Sequence, residues 1–394
     1  MHPTTERRQQ RNFARQCRAT GLYCHVPFCA HMCDYCAFYK EQPTSHSIER
    51  YLCGIAREMT LLRTNRPFDT VYIGGGTPGL LTPEHLESLC EAMGVGRSGT
   101  KLSEFSVEFS PITVKNAKVE ILKNYGCNRL TIGAQSFSSK TMQALGRRQN
   151  RRQIFDAFDA ILSCGIENIG IDLIFGVPGQ ALGEWMEDLH QAVDLKPKHI
   201  STYNLTFEDG TPLKRNLLAN AIDKKFEEEE ADFYLQTWKF LEESGYRQYE
   251  ISNFCLPGFE SIHNANTWKM QDWIGIGPSA CSQWNGKRFA NVPSLARWLG
   301  TLDRGKLAHE NAEAVCERTL AEDSIIFGLR MNDGIALAAL KKEFAGVDFT
   351  RWEELFRRLE EEKLMLAANG HVKLTTRGRL LADAIAVEVL AANR

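Results

Sequence analysis

From Leu22 to about Asn204, short β-rich runs alternate with segments of helical periodicity. The runs at 22–26, 70–74, 105–110, 129–134, 168–175 and 199–204 predict strands, because brief, largely apolar stretches suit strands buried inside an α/β sheet. Between them the spacing predicts helices near 47–63, 82–93, 113–124, 138–146 followed by 151–163, and 182–193. Thr82 and Pro83 read as the N-cap and first residue of one of them. Six βα units imply a parallel sheet. That is too few for a closed eight-unit barrel, so the expected fold is α/β, an open partial (βα)6 barrel with its function at the carboxyl ends of the strands.

The alternation stops after residue 205. Lys224–Glu243 reads as a long amphipathic helix. Residues 318–394 read as three helices, a hairpin turning at Asn369-Gly370 and a further helix, which resembles a winged-helix module. The expected organisation is therefore a basic arm (1–20, with Arg7, Arg8, Arg11, Arg15 and Arg18), a partial barrel (21–205), a barrel extension (206–317) and a small winged-helix-like domain (318–394). Winged helices often bind DNA, but this one carries twelve Lys/Arg against twelve Asp/Glu. The whole chain of 394 residues has a net charge of −2, so no electrostatic footprint for nucleic acid is present. Composition, at 43% hydrophobic, supports a full core. No apolar run approaches the roughly 18 residues of a membrane span.

The chemistry concentrates in Leu22–Tyr39, where Cys29, Cys33 and Cys36 form a C-x3-C-x2-C array. Three thiolates on a short loop suit three irons of a cubane cluster, since cluster irons favour thiolate. The loop has no fourth cysteine, so one iron stays open to a small chelating molecule with an amine and a carboxylate. Zinc is the alternative; it wants four ligands, and Cys24, His25 or His31 offers a fourth. The other nine of the twelve cysteines are scattered singly, which is no disulfide framework and fits a reducing, cytoplasmic setting. At or near later strand ends stand Gly74-Gly75-Gly76-Thr77-Pro78, Glu108, Gln135, Arg147 and Asp172. The glycines read either as a plain turn or as a close approach of backbone to a ligand. Asp172, inside a buried strand, needs a partner: a bound ligand or Arg147. His263, in His-Asn-Ala-Asn-Thr-Trp, reads either as an iron ligand or as a hydrogen-bonded histidine bracing the barrel. The glycine-bearing segment 273–278 resembles a strand and glycine turn that in related proteins would line the same cavity.

The array resembles the signature of the radical SAM superfamily. With Tyr23, His25, Pro27 and Phe28 before it, it is most similar to the coproporphyrinogen III oxidase-like branch and its HemW-type heme chaperones, and the resemblance extends from residue 20 to about 390. It implies a 4Fe-4S cluster on Cys29, Cys33 and Cys36, with S-adenosylmethionine on the exchangeable iron. Reductive cleavage of that ligand yields a 5′-deoxyadenosyl radical in the superfamily. It also implies that Tyr23, Tyr35, Gly75, Gly76, Thr77, Glu108, Gln135, Arg147 and Asp172 serve the S-adenosylmethionine site, and that His263 serves heme. Thr267 stands where the chaperone motif has Tyr.

Two functions follow as expectations: a heme chaperone that passes heme to an acceptor, or an oxygen-independent coproporphyrinogen III oxidase, with a radical enzyme acting on another tetrapyrrole as a third. The oxidase branch has a further Cys two residues after the third ligand, and Phe38 occupies that position here. The expected partners are heme or another tetrapyrrole, a heme-acceptor protein such as a respiratory enzyme, and an electron donor such as flavodoxin or ferredoxin. Nucleic acid is not expected; peripheral association with a membrane is compatible with this set.

Overall fold

Six parallel strands follow one another around a sheet in chain order: β1 (Thr20–Val26), β2 (Thr70–Gly75), β3 (Glu104–Phe109), β4 (Arg129–Gln135), β5 (Ile169–Phe175) and β6 (His199–Asn204). The computed structural model describes residues 19–62, 64, 66–96, 102–219, 222, 227–368 and 370–392. Most of the Arg-rich arm, Lys224 and Asn369 thus lie outside the described residues. Every expected strand is present within two residues, and the helices fall where the periodicity put them, at Ser45–Leu62, Pro83–Met93, Asn116–Asn124, Ser139–Ala144, Arg151–Ser163 and Leu182–Asp194. The Thr82 cap is made, its hydroxyl accepting from His85 N at 3.2 Å.

Each strand pairs in parallel with the next, so successive βα units wind the same way. β6 does not pair with β1, so the barrel is open. Instead the sheet continues at both edges. Past β6 lie β8 (Asn253–Cys255) and then β7 (Arg247–Gln248). Beside β1 lie β9 (Asp272–Ile276), parallel to it, and then β10 (Cys281–Trp284), β11 (Lys287–Asn291) and β12 (His309–Ala314), all antiparallel. Segment 273–278 therefore extends the sheet outside β1; it does not line the cavity at the strand ends. Its turn is held by buried Glu58, whose carboxylate accepts from Gly277 N (2.7 Å) and Asn291 Nδ2 (2.6 Å).

The two-residue period of the strands sorts their side chains. Leu22, Cys24 and Val26, with Val71, Ile73, Phe105, Val107, Leu130, Ile132, Ile171 and Leu173, join the buried core together with the helices. Cys24 Sγ, for example, meets Tyr51 Oη of helix Ser45–Leu62 at 3.3 Å. The alternate positions, Tyr72, Glu108, Asp172 and Tyr203 among them, form a polar group of their own: the Tyr72 hydroxyl donates to Glu108 Oε1 at 2.6 Å, and Glu108, Asp172 and Tyr203 act on one another electrostatically. A second core gathers around Trp352 and Phe356, from helices Glu317–Arg330, Thr350–Glu361 and Ala382–Ala391 and a three-stranded sheet of β13 (Ile335–Ala336), β15 (His371–Leu374) and β14 (Met365–Ala368).

Candidate active site

The array cysteines lie between β1 and helix Ser45–Leu62. Two backbone bonds zip the base of their loop shut, Cys29 N to Glu41 O (2.9 Å) and Glu41 N to Pro27 O. A second pair ties the loop to the glycine segment after β2: Gly76 N donates to Val26 O (2.8 Å) and Thr77 N to Phe28 O (2.7 Å). A Cβ on Gly76 would lie 2.7 Å from both of those carbonyl oxygens, so only glycine admits this approach. Gly75, at φ +101°, directs its N–H to the Glu108 carboxylate. The amides of Gly75, Gly76 and Thr77 are thus spent inside the protein, and what this segment offers a ligand is shape and position. The close backbone approach seen here is to the cysteine loop, which a plain turn would not require.

A cavity of about 610 Å³ opens at the carboxyl ends of β1–β6. Cys29, Cys33, Cys36 and Tyr35 line it from the loop. Gly75, Gly76, Thr77, Glu108, Gln135, Arg147 and Asp172 line it from the following units. Eleven of the thirteen expected site residues therefore share one cleft. The other two do not. Tyr23 packs against Tyr72, ring centroids 6.3 Å apart, and its hydroxyl meets His25 Nδ1 at 3.1 Å. His263 sits at the opposite, amino end of the strands, where its Nδ1 meets Thr70 Oγ1 at 2.9 Å and its ring faces Tyr72 at 5.2 Å. It is 6% exposed, and burial lowers its pKa to about 4. The expected place at the barrel mouth is corrected, and this geometry favours the bracing role.

Burial pushes the Cys29 and Cys33 thiols up. Thr77 Oγ1, 3.5 Å from Cys29 Sγ, works against this at Cys29, as Arg147 does at Cys33. Lys40, which donates to the Phe38 carbonyl at 3.3 Å and to that of Cys36, favours both thiolates. Positive charge on both sides of a thiolate set suits an anionic cluster. Two of the fourth ligands open to zinc are used elsewhere: Cys24 is engaged by Tyr51, and His25 is held between Tyr23 and the Tyr39 carbonyl (2.8 Å), while His31 stands exposed on the cleft beside the array. Among the described residues no three His, Cys, Asp or Glu side chains close on a single ion. Thiolates on separate irons of a cube stand wider apart than ligands of one ion.

Glu108 and Asp172 carry the unusual acidity. Burial raises Glu108 to about 7, opposed by Tyr72 and Gly75 N and reinforced by Asp172. Burial raises Asp172 to about 6, opposed by Ser201, Arg129 and Arg147. Arg147 does not pair with Asp172; its Nη2 donates to Tyr35 Oη at 2.9 Å. A buried carboxylate pair with raised pKa values binds a cationic ligand in exchange for its protons, so binding strengthens as the pH rises through those values. Gln135 reaches the cleft through a bulge between β4 and β5 and an unusual φ of +67°, strain of the kind found at ligand sites. Sequence reading missed Tyr203, Asn204 and Ile112 on the cleft wall. The end of β6 was the available signal for the first two.

Fold and site define a partial-barrel protein built around a three-thiolate loop and an acidic cleft. Family models agree: one described as the Radical SAM superfamily matches residues 23–192, and one for the HemN C-terminal domain matches residues 317–381. A protein of Bacillus subtilis named heme chaperone HemW is 32% identical over 373 residues, 93% of this chain and 97% of its own. One of the same name from Lactococcus lactis is 30% identical over 361 residues, 92% and 94% of the two chains. Among solved structures, coproporphyrinogen III oxidase (HemN) of Escherichia coli superposes with a TM-score of 0.81 at 22% identity, covering 96% of this chain and 93% of that one. The chain belongs to the radical SAM superfamily and, within it, to the family of the heme chaperone HemW. Membership implies a 4Fe-4S cluster and S-adenosylmethionine.

Proposed function

We propose that the protein is a heme chaperone of the radical SAM type, binding heme and transferring it to an acceptor protein. The observation that carries this reading is the near-complete overlap with the HemW relatives on a chain whose three array thiols line one cleft. Cys29, Cys33 and Cys36 would hold the cluster, and S-adenosylmethionine would complete it at the open iron. When bound and reduced, the cluster supplies an electron for cleavage of the sulfonium. The chain's own part is to place and shield the ligand. The Gly75–Thr77 segment shapes the wall next to the thiols, Arg147 offers a positive charge fixed by Tyr35, and Gln135 presents an amide from the strained end of β4. Glu108 and Asp172 supply negative charge beneath a cationic ligand, and Tyr23 supports the inner side of β1.

The oxidase reading is the competitor, and Phe38 counts against it. This ring, 65% exposed on the cleft wall, stands where that branch has its extra thiol. We further propose that the chain divides at residues 20, 205 and 317, resides in the cytoplasm, reaches a respiratory acceptor by peripheral contact with a membrane, and takes its electron from a flavodoxin- or ferredoxin-type donor. Among the described residues no helix is long and apolar enough to cross a membrane. Anaerobic reconstitution followed by separate heme-binding and coproporphyrinogen assays tests the choice. Stoichiometric heme binding without coproporphyrinogen turnover supports the chaperone, and turnover without heme binding rejects it.

A further inference from the structure

Four arginines fall within six residues at Arg147-Arg148-Gln149-Asn150-Arg151-Arg152, in a chain whose net charge is −2. Arg147 is taken up by Tyr35 in the cleft. The other three are exposed. Arg151 lies over the Phe155 ring at 5.4 Å, and Arg152 makes only a loose contact with Asp156, 3.7 Å between two exposed groups. Arg148 has no ion-pair partner among the described residues.

Their position is unfavourable for local stability. Asn150 caps helix Arg151–Ser163, so Arg151 and Arg152 occupy its first turn, which carries no acid. Positive charge at a helix N-terminus opposes the helix dipole. These charges therefore do not serve the helix they stand on.

They do stand beside the cysteine loop. The turn at Gly146 packs directly on it: a Cβ there would lie 3.0 Å from Asp34 Cγ and 3.3 Å from Asp34 N. His31, Met32 and Asp34, interleaved with the array cysteines, share one surface groove with Arg148 and Arg151. His31 and Met32 are exposed. This is an outward-facing edge of the loop that would hold the cluster, flanked by three exposed arginines against Asp34 in the groove and Asp156 beside Arg152.

We propose that this face, Arg148 and Arg151 beside His31 and Met32 with Arg152 next to Arg151 at the helix start, is the docking surface for a small acidic protein that carries a single low-potential electron. The inference rests on the cluster reading above. In the docked pair one electron passes from carrier to cluster; the carrier is oxidised by one electron, the cluster is reduced by one, and no bond or proton changes hands. Charge complementarity at such a rim acts on the association rate and its salt dependence.

The test uses the full chain, reconstituted anaerobically, with reduced flavodoxin as the acidic one-electron probe and dithionite as a small reductant that needs no docking. Stopped-flow bleaching of the cluster gives the rates. With wild type, the flavodoxin rate should fall steeply as ionic strength rises. Arg151→Glu combined with Arg152→Gln should lower it about tenfold or more at low salt and flatten the salt dependence. Dithionite reduction and the reduced-cluster EPR signal should stay as in wild type. Arg151→Lys with Arg152→Lys should keep the wild-type rate. Neither pair carries a residue of the cleft, and the charge-reversed pair removes an unfavourable dipole contact, so both should fold. An unchanged flavodoxin rate in the charge-reversed protein, or a wild-type rate indifferent to salt, overturns the docking surface. Failure of wild type to form a cluster that dithionite reduces would instead overturn the cluster reading.

Discussion

Replacing His263 by Ala separates a brace from a heme ligand. In the folded protein the imidazole fills a site with almost no slack. A Cβ on Gly21 would come within 2.9 Å of its Cε1, Tyr72 lies against one face, and Thr70 Oγ1 shares a hydrogen bond with Nδ1. Truncation leaves the Thr70 hydroxyl without this partner, a loss of about 1–3 kcal/mol, and opens a hole beside Tyr72, which adds to it. The expected destabilisation is about 2–4 kcal/mol. The effect should depend on pH. Folded His263 stays neutral down to about 4, whereas in the unfolded chain it protonates near the ordinary 6.5. Its contribution is therefore complete above about pH 6.5 and is lost as the pH falls toward 4. The gap between wild type and His263→Ala should shrink over that range. Denaturant unfolding at several pH values, with heme titration alongside, measures both properties. A correctly folded His263→Ala protein with unchanged stability and lost heme affinity would refute the brace and restore the ligand.

Three more outcomes are expected. Changing Cys29, Cys33 or Cys36 to Ala should each abolish the brown absorbance after anaerobic reconstitution, because an iron loses its protein ligand; retention of full absorbance by any one would remove it from the cluster. Glu108→Gln should weaken S-adenosylmethionine binding and flatten its pH dependence. Wild-type affinity should rise as the pH passes upward through about 7, where Glu108 loses its proton, and calorimetry with identical profiles for both proteins would reject this. The reconstituted wild type, with Phe38 exposed at the cleft, should form no protoporphyrinogen from coproporphyrinogen; detectable product by fluorescence would reverse the choice of function.

The barrel was legible in the sequence because its strands are short apolar runs with helices between them, and a period of two also forces Glu108 and Asp172 onto one polar inner group. The cysteine loop was legible because its three cysteines are local in sequence. What could not be read were contacts between distant segments. His263 meets Thr70 across the amino ends of the strands, and no local pattern shows which end of a barrel a helix 193 residues away will reach. Segment 273–278 resembles a cavity-lining strand and turn yet pairs outside β1, since strand composition does not fix pairing. The amides of Gly75–Thr77 looked free for a ligand, but the cysteine loop and Glu108 use them first.

The proposed function stands on a three-thiolate loop that holds a cluster with one iron open to S-adenosylmethionine. EPR of the dithionite-reduced, reconstituted protein, recorded with and without S-adenosylmethionine on samples assayed for iron and sulfide, addresses it directly. About four irons and four sulfides per chain are expected, from the 4Fe-4S cluster that the superfamily implies, with a signal whose g values shift when the ligand is added. One equivalent of zinc on four protein ligands, or a cluster signal indifferent to S-adenosylmethionine, would contradict it.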